Sequence, residues 1–233
     1  MDVLFDGLAD AIGLLLSGDQ ESWSIIALTL RVSLTATAFA LLLGLPLGAI
    51  VALARFPGRR VVLAAANTGM GLPPVVVGLF VTVLLWRSGP LGGLGLLYTP
   101  TAMVVAQAAI ATPIVVALVA AALQQVDPDF RVQMQAVGAT PVRAFAALLG
   151  EARLPLLAGA MAAFGSVVSE VGAAQMVGGN LAGQTRVLTT AAVLATSRGQ
   201  FSLAIAFGLI LLLIAFGVNL ALTLIQQRRT AAG

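Results

Sequence analysis

Residues 32–54 read VSLTATAFALLLGLPLGAIVALA, 23 positions without a charge between Arg31 and Arg55. A bilayer core about 30 Å thick needs roughly 20 apolar residues of helix, so this stretch can cross a membrane. Extended back to Ile25 it makes a first span, 25–54, with Arg31 in its outer turn, where the side chain can snorkel to the interface. Four more stretches satisfy the same test: 61–86, 101–123, 154–177 with Glu170 inside it, and 201–225. The expected fold is an all-α polytopic membrane protein of five transmembrane helices, with a six-helix count as its competitor.

Composition agrees. The 233 residues are 60% hydrophobic and only 9% charged, against about 25% charged for an ordinary soluble domain. There is no cysteine and no histidine, which removes disulfides, thiol nucleophiles, zinc clusters and histidine acid–base chemistry together. The net charge of +3 comes from twelve cationic residues, all arginine and all dispersed, so no nucleic-acid footprint is present. No metal site or catalytic constellation is legible, and no cofactor is expected on this chain.

The remaining segments set the topology. In residues 1–24, Asp2, Asp6 and Asp10 recur at helical spacing, and Leu4, Leu8, Ile12 and Leu15 recur on another face. That pattern describes an amphipathic surface helix. The Gly-rich stretch 88–100 reads as a loop, and 187–197, between Arg186 and Arg198, suits a re-entrant or interfacial helix. Five acids and no arginine precede the first span, whereas Arg55, Arg59 and Arg60 follow it. The arginine bias therefore puts the N-terminus outside, the loop 124–153 in the cytoplasm and the tail 226–233 there too. Residues 25–225 form the membrane domain of a multi-pass protein in a bacterial or archaeal cell membrane.

Between the third and fourth spans lies the only substantial hydrophilic segment. It opens with Asp127-Pro128-Asp129, a helix start. It continues through Gln135-Ala136-Val137-Gly138-Ala139-Thr140-Pro141-Val142-Arg143-Ala144-Phe145 and re-enters the apolar run at Leu154-Pro155. The pattern is a short helix, a break without bulky side chains, and a second helix restarted by proline. Such an element offers a small smooth knob to something in the cytosol; an ordinary helical loop is the plainer alternative.

This segment resembles the signature loop of ABC importer permeases, the membrane subunits whose cytoplasmic coupling helix docks in a groove of a separate ATPase. Gly138, Ala139, Leu154 and Pro155 match the family pattern. Val132 stands where the motif usually opens with glutamate, and the distance from Gly138 to Pro155 is about one helical turn longer than the commonest spacing. Further pieces fall in family order: Thr29-Leu30-Arg31-Val32-Ser33-Leu34, Leu72-Pro73-Pro74-Val75, Ser169-Glu170-Val171-Gly172, Gly178-Gly179-Asn180 and Thr185-Arg186-Val187-Leu188-Thr189-Thr190. Within the family they are most similar to the oxyanion branch, tungstate-type first, then molybdate- and sulfate-type.

The resemblance implies a homodimer around a translocation pathway. It also implies two ATP-binding cassette subunits carrying ATP and magnesium, and an extracytoplasmic solute-binding protein. It assigns ATPase coupling to Gln135, Ala136, Gly138, Ala139, Thr140 and Arg143. A chain without lysine cannot hold a Gly-x-x-x-x-Gly-Lys phosphate loop, so ATP hydrolysis is expected elsewhere.

Some residues inside the spans need a reason. A carboxylate at Glu170 is expensive in a membrane and is a poor ligand for an anion, so it is expected to bond backbone groups or an arginine near the outer gate. Pro73-Pro74 should break the second span and could wall the pathway. Asn67, Gln107 and Thr112 must face helices or a cavity. Gly178, Gly179 and Asn180 are expected to form a flexible turn, with Asn180 at the gate; Thr185 and Arg186 are expected in a solvated loop, the alternative being that they meet an anion or a partner protein at the external mouth. Gly44 and Gly48 should permit close helix packing. A secondary transporter or channel would need coupling-ion or selectivity residues, for which Glu170 alone is thin support. An intramembrane enzyme would need a nucleophile–base pair or a metal site, and none is visible.

Overall fold

The computed structural model describes residues 2–230, excluding the side chains of Asp2, Pro128, Arg131, Gln135 and residues 228–230. Within that range there are eleven α-helices and no strand: α1 (Asp2–Leu16), α2 (Gln20–Leu53), α3 (Arg59–Met70), α4 (Pro74–Leu85), α5 (Pro100–Gln124), α6 (Pro128–Ala136), α7 (Pro141–Glu151), α8 (Arg153–Val168), α9 (Gly172–Gly178), α10 (Leu188–Ser197) and α11 (Phe201–Thr230). Helices α2, α5 and α11 are each long and apolar enough to cross a membrane, and two bent pairs, α3–α4 and α7–α8, bring the number to as many as five. The stretch 154–177 is divided: α8 ends at Val168 and α9 begins at Gly172.

Helix α5 is the axis of the bundle. It packs against α2, α3, α4, α8 and α9, and small residues set how closely. A Cβ at Gly44 would lie 2.5 Å from Val115 Cγ1, and one at Gly48 2.7 Å from Val119 Cβ. These two glycines, one turn apart on α2, let the backbones of α2 and α5 approach, as small residues do between membrane helices. Helix α11 sits at the periphery, with Leu212, Leu213, Phe216 and Leu220 exposed.

One placement differs from the sequence expectation. Helix α2 is already helical at Gln20, so Arg31 lies about three turns along it rather than in its first turn. Its cap explains the early start: Asp19 Oδ2 accepts from the Ser22 N–H at 2.8 Å, an N-cap bond that satisfies an orphan donor. Helix α1 packs on the protein through its small residues. Gly7 and Ala11 are buried while Leu4, Leu8 and Ile12 are exposed, because α1 lies along α11, where a Cβ at Gly7 would meet Ile205 Cγ2 at 2.6 Å. Close approach to a neighbouring helix outweighs burial of leucine there. Helix α10, expected as a re-entrant or interfacial helix, is packed into the protein, with Leu188, Thr189, Thr190, Ala191 and Ala195 buried.

At its far end α2 is closed by an arginine. Arg59 Nε donates to Val51 O at 2.6 Å and Nη2 to Ala52 O at 2.9 Å. A cation on the last carbonyls satisfies both their hydrogen bonding and the negative end of the helix dipole.

Candidate functional site

Two regions hold the residues singled out by sequence. The first is the loop helix pair α6–α7. Helix α6 ends on a left-handed glycine, Gly138 at φ +69°, and the Ala139 N–H reaches back to Met134 O at 3.0 Å. This six-to-one bond is the Schellman closure, which glycine accommodates because it carries no Cβ. Thr140 then caps α7, its Oγ1 accepting from the Arg143 N–H at 3.4 Å, with Pro141 in the first turn. Glycine, alanine, threonine and proline thus each supply one step of a tight reversal between two short helices.

The reversal projects outward. Nothing lies within 4 Å of a Cβ built at Gly138. Val132, Val137 and Val142 are 62%, 74% and 78% exposed, a run of apolar side chains around the tip. Beneath the tip the pair is anchored. Leu148 and Ala152 are buried in the same core cluster as Ala49, Ala122 and Leu123, and a cavity of about 470 Å³ lined by Leu53, Phe130, Met134, Ala144 and Phe145 separates the tip from α2. Helices α7 and α8 meet at Ala152, with a bend of 69°, and its N–H and C=O both stay in helical bonds, to Leu148 O and from the Leu156 N–H at 3.0 Å each. A push on the tip can therefore be carried into α8. Among the coupling candidates, Ala136, Gly138, Ala139, Thr140 and Arg143 come together at the tip; the Gln135 side chain lies outside the described residues.

The second region holds the helix breaks and the α9–α10 loop. Pro73 and Pro74 sit at the first break, where α3 and α4 bend by 102°. Pro73 has the extended conformation of an N-cap and Pro74 opens α4, as proline's missing N–H and fixed φ require. The second break, 169–171, contains Glu170. Its buried Oε1 accepts from the Ala173 N–H at 2.9 Å, bonding the first turn of α9. Its carbonyl accepts from Thr189 Oγ1 at 3.0 Å.

The loop after α9 is tied by hydroxyls. Thr185, which a solvated loop would expose, is fully buried. Its Oγ1 donates to Gly178 O at 2.5 Å and accepts from the Leu181 N–H at 3.0 Å. Thr29 Oγ1 on α2 accepts from the Leu188 N–H at 2.9 Å, and Thr190 Oγ1 accepts from the Val187 N–H at 3.1 Å. Asn180, at φ +52°, donates through Nδ2 to Thr190 O at 3.3 Å and accepts from Arg186 Nε at 3.3 Å. Arg186 Nη1 pairs with Glu21 at 3.2 Å. Tyr98, also at positive φ, clamps the turn: its N–H donates to Val177 O at 2.8 Å, and a Cβ at Gly179 would meet its ring at 2.8 Å. The hydroxyls of Thr29, Thr189 and Thr190 and the Tyr98 clamp were not singled out as functional from sequence. Thr189 and Thr190 are adjacent in sequence, but the partners of Thr29 and Thr189, the Leu188 N–H and the Glu170 carbonyl, belong to other elements.

This bundle of whole and broken helices with a protruding helix pair matches a known family. Residues 44–231 match the family described as binding-protein-dependent transport system inner membrane component, and the chain belongs to it. The tungstate uptake system permease protein TupB of Peptoclostridium acidaminophilum is 36% identical over 97% of this chain and 100% of its own length. A probable anion ABC transporter permease protein of Haloferax volcanii is 41% identical over 84% of this chain and 87% of its own length. The molybdenum transport system permease protein ModB of Escherichia coli is 28% identical over 74% of this chain and 79% of its own. Among solved structures, the inward-facing MetNI methionine ABC transporter superposes with a TM-score of 0.70 at 22% identity, over 92% of this chain and 95% of that one, which shows the fold. The chain is an ABC transporter permease, a helical transport subunit of a membrane.

Proposed function

We propose that this permease carries an oxyanion, tungstate in the first place, in an ATP-driven importer. The observation that carries the substrate is the full-length likeness to a tungstate permease; the molybdenum relative makes molybdate the second reading. Two copies enclose the pathway. Two ATPase subunits bind ATP and magnesium on the side of the α6–α7 tip, and a solute-binding protein docks at the opposite end. The N-terminus then lies outside and the α6–α7 loop and C-terminus in the cytoplasm, as the arginine distribution suggests.

The mechanism follows from the geometry of the tip. A knob made of Ala136, Gly138, Ala139 and Thr140, ringed by exposed valines, seats in an ATPase groove, with Arg143 one turn into α7. Closure of the ATPases displaces α7 and α8 together, because Leu148 and Ala152 tie them to the core, and the displacement ends at the breaks. Pro73, Pro74 and Glu170 lie where the wall can hinge, and Asn180 closes the far side. No step needs a reactive group on this chain.

The deciding experiment is uptake by the reconstituted assembly with its own binding protein, testing tungstate, molybdate and sulfate. ATP-dependent tungstate uptake is expected; uptake without an ATPase subunit would turn the reading toward a secondary transporter or channel. Preference of the binding protein for a ligand other than a tetrahedral oxyanion would overturn the substrate.

A further inference from the structure

Both helix breaks lie near one depth, for which α5 serves as a ruler. A Cβ at Gly69, just before the first break, would lie 2.5 Å from Pro113 Cβ, near the middle of α5. A Cβ at Gly178, at the outer end of α9, would meet Met103 Sδ at 2.9 Å, ten residues or about 15 Å further along α5. The starts of the two continuing helices touch: a Cβ at Gly172 would lie 2.6 Å from Val75 Cγ2. Four helix ends, two stopping and two starting, therefore meet beside the middle of α5, a helix long and apolar enough to cross a membrane.

This junction is open on the protein surface. Asn67, Thr68, Gly71, Pro73 and Ser169 are exposed there among the apolar side chains of Met70, Leu72 and Val75, while Gly78 and Ala173, on the inner side of the α4–α9 contact, are buried. No bond to the amide of Asn67 or the hydroxyl of Thr68 occurs among the described residues. Exposed helix ends and unpaired polar side chains are not tolerated against hydrocarbon, but they are tolerated along water. The exposed face of α11 differs, presenting Leu212, Leu213, Phe216 and Leu220, a uniformly apolar surface suited to lipid.

We infer that the double break faces the aqueous passage and that Asn67, Thr68 and Ser169 form a neutral, amide- and hydroxyl-lined waist past which the oxyanion moves. The inference rests on the reading of the chain as an oxyanion permease and adds the residues that meet the anion. Neutral donors suit the task, because conduction requires contact weak enough to be left again. Glu170 does not oppose it: the carboxylate is turned into the protein, on the Ala173 N–H. Ser169 places its hydroxyl on Gly165 O at 2.8 Å, so its oxygen edges the waist while Asn67 and Thr68 supply the free donors.

The absence of native cysteine makes the test direct, since a thiol reacts with a charged reagent only where water lets it ionise. Single cysteines at Asn67, Thr68 and Ser169 in the assembled transporter are treated with an anionic methanethiosulfonate. Leu213→Cys and Phe216→Cys serve as lipid-facing controls and Ser197→Cys as a positive control. The waist positions are expected to label about tenfold or more faster than the lipid controls, to be slowed by tungstate delivered with ATP and the binding protein, and to lose uptake once modified. Labelling as slow as at Leu213 and Phe216 in both resting and ATP-trapped states, with Ser197→Cys reacting, overturns the inference. So does labelling that leaves uptake intact. With three positions tested, one that fails to assemble leaves two to decide. Should the assembly carry no oxyanion at all, the labelling pattern still reports where water runs, which separates failure of the waist from failure of the substrate assignment.

Discussion

The two ends of this molecule are built on opposite plans. The α6–α7 tip is held by local devices, a left-handed glycine and a threonine cap, and it displays apolar side chains to the outside. The α9–α10 loop is held by bonds that cross between elements: Thr185 to Gly178, Leu188 to Thr29, Thr189 to Glu170, with its threonines buried. A local device keeps its shape when the element moves as a body, whereas cross-links fix one element against another. The difference teaches that the α6–α7 tip can move as a body without losing its own shape, whereas the α9–α10 loop is fixed against its neighbours.

Substitutions should dissociate the two regions. The largest effect belongs to the tip: Ala139→Trp should lower ATP-driven uptake at least about tenfold, or about 1.4 kcal/mol of lost docking, while the thermal midpoint of the purified permease stays put. Unchanged uptake would break the comparison. Thr185→Val should do the reverse. It leaves the Leu181 N–H and Gly178 C=O unpaired in a buried site, at about 1–3 kcal/mol of stability, measured by thermal unfolding in detergent, with Thr185→Ser recovering most of the loss.

Smaller effects sharpen the contrast. Glu170→Ala removes the acceptor from the first turn of α9 and should cost about 0.5–2 kcal/mol, as loss of a helix cap does. Glu170→Gln keeps an oxygen there and should cost less in the same unfolding measurement. Thr140→Ala should cost about 1 kcal/mol, but locally: faster hydrogen exchange at the Arg143 amide with little change in global unfolding. The smallest effect is at Asp19, whose carboxyl is held below its ordinary value of 3.8 by the bonds from Ser22. A depressed carboxyl stabilises the fold above its ordinary value and loses that contribution as pH falls through its folded value. Asp19→Asn should lower stability slightly at neutral pH and flatten the stability profile below about pH 4.

Legibility followed the range of the forces involved. The first break was readable because Pro73 and Pro74 act within one turn of themselves, and the coupling reversal because Gly138, Thr140 and Pro141 do the same. Gly44 and Gly48 were readable as packing sites because smallness at helical spacing has one use in a membrane helix. The second break carries no proline. It is set where Gly172 meets Val75 and where Thr189 bonds the Glu170 carbonyl, contacts that neighbouring residues do not announce. Thr185 looked solvent-facing because its partners are backbone groups that only the folded loop brings to it. The partner of helix α1 was hidden for a related reason, its position against α11 being set by close approach at Gly7 and Ala11.

What the amino-acid sequence determined by itself was the class of solvent, the number of apolar runs and the shape of the protruding tip. Each depends on composition or on residues within a turn of one another. What the tertiary structure decided was which face of each helix is inside, where the fourth span breaks and which hydroxyls are buried. A membrane offers no hydrophobic gradient between helices, so those choices fall to close packing and to the pairing of polar groups distant in sequence.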